Sequence, residues 1–136
     1  MSQQLAFEVT LPVAYEQAIE ETTAALKAEG FGVLTRIDVK QTLKEKINAD
    51  FHPYSILGAC NPTLAYKALS HDEQVGLMLP CNVTVEAKDD KTSLVRIGDP
   101  DAFLKIGSFA TDAVLQSVAK EARERLARAA DALKRA

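Results

Sequence analysis

Leu5, Phe7, Val9 and Leu11 alternate with Ala6, Glu8 and Thr10, a period of two that turns one face to a core and the other to solvent. The first element is therefore a strand. Pro12 fixes a φ suited to an opening turn, and Tyr15, Ala18, Ile19, Thr22 and Leu26 then recur at helical spacing as far as Gly30. This predicts a helix over about 12–29 with Gly30 as its stop. Phe31, Val33, Thr35 and Ile37 alternate again, so the chain returns as a strand and makes a tight β-α-β start. Asp38 and Gln41 have the spacing of a capping box, and Val39, Leu43 and Ile47 repeat every fourth residue among lysines, predicting a short exposed helix to about Asn48. Residues 54–60 form an apolar run broken only by Ser55 and Gly58, bounded by Pro53 and by Asn61-Pro62. A strand buried on both faces fits that run, and Asn61 and Pro62 cap and open a helix through Leu69.

Three more strands are expected at 75–79, 83–87 and 94–97, the last two joined as a hairpin through the turn-prone run 88–91. Asp99 and Pro100 open another helical turn, closed by Gly107. From 112 to 135, Val114, Leu115, Val118, Ala122, Leu126, Ala129 and Leu133 make one apolar stripe on a long helix, which needs a sheet or partner beneath it to be stable. The whole reads as α+β. Two layers are expected, a mainly antiparallel sheet of about six strands with helices packed on one face, and residues 1–136 form a single domain.

Composition narrows the class. Of 136 residues 47% are hydrophobic, and 16 basic against 19 acidic side chains leave a net charge of -3, which excludes a disordered chain. The acidic balance argues against nucleic acid as a partner, because that requires a basic face. Lys120, Arg123, Arg125, Arg128, Lys134 and Arg135 on the last helix alternate with Glu121, Glu124 and Asp131 at ion-pair spacings and read as a solvated face. No run of about 18 apolar residues exists, and Glu8, Glu16 and Glu20 interrupt the first twenty positions, so neither a membrane partner nor a secretory signal is expected. The expected setting is the cytoplasm, with both cysteines as thiols.

Candidate chemistry concentrates at Gly58-Ala59-Cys60-Asn61-Pro62 and Leu79-Pro80-Cys81-Asn82. Each sets a cysteine beside an asparagine at a strand boundary. A thiol just before a helix N-terminus, as Cys60 is expected to be, has its thiolate stabilised by free backbone N-H groups. The plainer reading makes both cysteines small core side chains. His52 and His71 are the only histidines; with Cys60 and Cys81 they lack the close pairing of zinc ligands, so no metal is expected. His71 reads as a solvated helix end, whereas His52, beside Pro53, is expected at the mouth of the strand that carries Cys60. Gly30 and Gly32 do not complete a phosphate-binding motif.

The stretch from Gly30 to Lys40, with Phe51, Pro53-Tyr54, Leu57 to Pro62, Leu79 to Val83 and Asp99-Pro100, resembles the domain of unknown function 302 family. The likeness covers most of residues 5–134. It implies a small β-α-β-rich domain similar to the TATA-box-binding-protein-like fold, often a homodimer, and it brings no activity with it. It also implies that Asn61, Pro62 and Pro80 are structural, with any thiol chemistry confined to one branch of the family.

The expected function is a non-enzymatic small-ligand-binding or sensor module with a pocket near Cys60 and Cys81, formed with Asn61, Asn82 and His52 and walled by Ile56, Leu57, Leu77 and Met78. No cofactor is specified. The alternatives are a homodimeric interaction protein, on the strength of Leu77, Met78, Leu79 and the last helix's stripe, and a thiol redox switch or enzyme using Cys60 and Cys81.

Overall fold

The computed structural model describes residues 4–134. In order the elements are β1 (Ala6–Leu11), α1 (Tyr15–Ala28), β2 (Gly32–Asp38), α2 (Val39–Ile47), β3 (Tyr54–Cys60), α3 (Pro62–His71), a 3-10 segment (Glu73–Met78), β4 (Cys81–Asp89), β5 (Thr92–Gly98), α4 (Pro100–Phe103), a second 3-10 segment (Gly107–Thr111) and α5 (Ala113–Leu133). The strands form one antiparallel sheet in the order β1-β5-β4-β3-β2. It is an α+β fold, with five strands rather than about six. Arg135 lies outside the described residues.

The missing strand is 75–79. In a strand Val75 and Leu77 would share a face, yet Val75 is 1% exposed and Leu77 85%. Asp72 instead accepts a hydrogen bond from the Gln74 N-H and starts the Glu73–Met78 turn of helix. The β-α-β start is not tight either. β1 and β2 run parallel but occupy opposite edges of the sheet, with β5, β4 and β3 between them, so α1 crosses the whole sheet.

The helix ends follow local chemistry. Gly30, at φ 85°, closes α1: its N-H donates to the Lys27 carbonyl and that of Phe31 to the Leu26 carbonyl, a Schellman motif with the apolar Leu26–Phe31 pair buried beside it. Asp38 caps α2 by accepting from the Gln41 N-H at 3.0 Å. Only half of the capping box forms, because the Gln41 side chain donates to Glu45 instead. Asn61 accepts from the Leu64 N-H at 3.1 Å, and Asp112 accepts from both Val114 and Leu115.

Leu57, Ala59, Val83, Val85, Val95 and Ile97 carry the core on the sheet, and Leu115, Val118, Ala122, Leu126, Ala129 and Leu133 bury the predicted stripe of α5. α5 packs on α1, α3, α4 and β1. Its stripe is thus consumed inside the chain. The arginines on its other side are paired: Arg123 with Asp99, Arg125 with Glu121, and Arg128 with Glu29.

Candidate functional site

β3 ends at Cys60 where β4 begins at Cys81, because the register sets Ala59 opposite Cys81 and Gly58 opposite Asn82. At this end of the sheet the chain leaves in two directions. Asn61 turns β3 into α3, and Leu79-Pro80 brings the 3-10 segment into β4. The gap between them, closed by α4 and α5, is a cavity of about 370 Å³. Cys60, Asn61, Cys81 and Asn82 all line it. Both cysteines are half-buried free thiols.

Among the described residues no charged side chain lines the cavity. Its walls are Phe31, Leu64, Met78, Leu104, Val118 and their apolar neighbours, with Leu77 and Phe103 exposed at the edge. That setting governs the thiols. Burial, aided by the neighbouring Cys60, pushes the Cys81 thiol up to about 11, so Cys81 is uncharged at neutral pH. Asn61 is committed to scaffolding: its oxygen caps α3, and its amide nitrogen lies where a Cβ on Gly30 would come within 2.9 Å. Gly58 is equally constrained, since a Cβ there would run into Pro80 and Thr35.

His52 lies elsewhere. It precedes β3 at the end away from Cys60, beyond a strand that itself spans about 20 Å at the usual rise per residue, and its Nε2 is 2.7 Å from Glu86. Burial opposes the charge on Glu86, but hydrogen bonds with His52 and Arg96 outweigh it and hold its pKa below the usual range. His71 is the exposed last residue of α3, as expected, and its Nε2 lies 2.7 Å from Asp112, the α5 cap. The two histidines therefore do not join the cysteines, and among the described residues no cluster of three or more His, Cys, Asp or Glu forms a metal site. Of the expected walls, Leu77 and Met78 line the cavity; Ile56 and Leu57 do not.

The contribution of α4 and α5 escapes the sequence reading. Phe103, Leu104, Val118, Ala119 and Ala122 close the cavity, and the one available signal is that Ala119 and Ala122 interrupt the bulkier Leu115, Val118 and Leu126 in that part of the stripe. A second hollow of about 420 Å³ lies beside Phe7, Asp99, Asp101, Lys120 and Arg123. It is the larger by volume, and of its charged residues Asp99 pairs with Arg123 and Asp101 with Lys105 outside it. A buried Ser55, bonded to the Tyr15 hydroxyl and to Arg36 Nε, ties α1, β2 and β3 together at the far end.

This architecture defines a small α+β domain with a mostly apolar cavity at one end of its sheet. Residues 7–133 match the model of the domain of unknown function DUF302, and the chain belongs to that family. A crystal structure of an uncharacterized conserved DUF302 protein from Bacillus stearothermophilus is similar to it, at 29% sequence identity and a TM-score of 0.81 over 95% of this chain and 98% of that one. No curated protein matches the sequence. Among the described residues no helix is long and apolar enough to cross a membrane.

Proposed function

We propose that this domain is a non-enzymatic small-ligand-binding or sensor module, with its pocket between Cys60-Asn61 and Cys81-Asn82. The observation that carries the reading is the shared cavity, which is in the size range of small-molecule sites and has apolar walls with few polar groups. His52 is no longer part of the proposed site. Native mass spectrometry of the protein purified from its own source tests the reading: a bound small molecule, lost on denaturation, is expected. A bare chain whose unfolding midpoint also responds to no member of a set of small apolar molecules would sink it.

The redox alternative draws no support from Cys81, whose thiol is held protonated. A homodimer, the second reading, rests on a different surface from the α5 stripe. Leu34, Ile37 and Ile47 are 68%, 50% and 70% exposed on the edge strand β2 and on α2, and exposed apolar groups at a sheet edge invite pairing. Light scattering at micromolar concentration decides it, a mass of two chains that falls to one in Leu34→Lys being the expected result. The TATA-box-binding-protein-like arrangement belongs to the same proposal, supported by the antiparallel sheet with α1 and α5 packed against it; superposition on a member of that fold tests it.

A further inference from the structure

We infer that the cavity between Cys60 and Cys81 selects electrically neutral, apolar molecules of about two fused rings and rejects ions of either sign. This rests on the pocket reading above and names the ligand class. Size comes first. An engineered cavity of about 150 Å³ accepts benzene, and this one measures about 370 Å³, which leaves room for a bicycle but not for a large cofactor. Charge comes second. None of the lining residues bears a charge, and of the ions that flank the walls in sequence Asp99 pairs with Arg123, Asp101 with Lys105 and Glu121 with Arg125. An ion entering would give up water and meet no counter-charge, a loss that apolar contact does not repay. The protein reports the same penalty on its own side chain, since the Cys81 thiolate is suppressed there.

Polar recognition is correspondingly sparse. Asn61 Oδ1 is already used by the α3 cap, leaving the Asn61 amide N-H groups, the exposed Asn82 and the two thiols, enough to orient one hydroxyl or carbonyl. Leu77, 85% exposed beside an apolar cavity, stands at its edge, where an apolar ligand would cover it.

Three probes share one ring system: 1-naphthol, 1-naphthalenesulfonate and 1-naphthalenemethylamine, neutral, anionic and cationic near neutral pH. Because the chain has no tryptophan, naphthalene fluorescence reports binding directly. The expected result is one 1-naphthol per chain, with each ion bound at least about tenfold more weakly. Binding should slow thiol labelling of Cys60, and Leu77→Asp, at a position too exposed to affect folding, should weaken 1-naphthol by about fivefold or more. Equal binding of an ion, with the same protection of Cys60, would overturn the neutral class while leaving the pocket reading intact. If no probe binds, the neutral two-ring class is overturned, while the pocket reading stands or falls on native mass spectrometry of the purified protein. Binding of 1-naphthol that neither protects Cys60 nor responds to Leu77→Asp places it elsewhere and also overturns the inference.

Discussion

Asn61 stands where β3, α3 and the end of α1 meet, and its side chain is buried with the oxygen on the Leu64 N-H. Asn61→Ala removes an N-cap and should cost about 0.5–2 kcal/mol, read as a lowered denaturant midpoint, with binding in the cavity little changed once folding is allowed for. Preserved stability with lost binding would make Asn61 a ligand contact. Gly58→Ala is a harsher test of the same end of the sheet. Its new methyl meets the Pro80 ring, so a loss of roughly 1–3 kcal/mol is expected. Cys81 gives a pH signature. Its folded pKa is raised, so the stability it contributes is complete below the unfolded thiol value of about 8.5 and is lost as the pH rises towards about 11. Cys81→Ala should therefore remove part of the alkaline destabilisation, and labelling of Cys81 in the native protein should accelerate only in that range. Rapid labelling at pH 7 would contradict the burial argument.

Among the elements, α5 has the most exacting start. Asp112 Oδ1 accepts from Val114 and Leu115 while Oδ2 faces His71, so one carboxylate caps α5 and ties the end of α3 to it. The backbone hydrogen bond from Leu115, then His71, holds the Asp112 pKa below the ordinary carboxylate range. A depressed acid contributes stability that is present above its unfolded value and lost as the pH falls through its folded one. Acid titration of stability below about pH 4 should accordingly be shallower in Asp112→Ala than in the parent chain; identical acid limbs would show that the pair contributes nothing. The helix starts at Asp38, Asn61 and Asp99 were legible in the sequence because each depends on residues within three positions, whereas Asp112 was placed at the start of α5 without its capping role. The 75–79 segment was not legible. Its run of apolar residues satisfies the strand pattern, and only the Asp72 cap with the divergent burial of Val75 and Leu77 turns it into a 3-10 helix.

At the scale of the whole molecule, pairing across the sheet was the hidden quantity. Nothing in Leu5 to Leu11 or Phe31 to Ile37 says that β1 and β2 end on opposite edges, because that is decided by where β5, β4 and β3 insert. The site was half legible for the same reason. Cys60-Asn61 and Cys81-Asn82 mark the strand ends that the register brings together, while the remaining walls come from α4 and α5, far along the chain, and His52 falls at the wrong end of β3. The cavity itself follows from α5. Of the α5 residues over the cavity, Val118, Ala119 and Ala122, the two alanines are too small to fill the space that α3 and the 3-10 segment leave. Ala122→Leu separates a packing defect from a binding site. Extra methylenes forced into a filled core typically cost about 1–3 kcal/mol, but here they enter empty volume, so the unfolding midpoint should stay level or rise. If the volume is where 1-naphthol binds, the same variant should lose at least about tenfold in affinity, a loss of about 1.4 kcal/mol, while Asp112→Ala, outside the cavity, should leave that affinity alone. A variant that unfolds earlier would mean that the space is already occupied by side chains, and one that binds as before would place the ligand outside it.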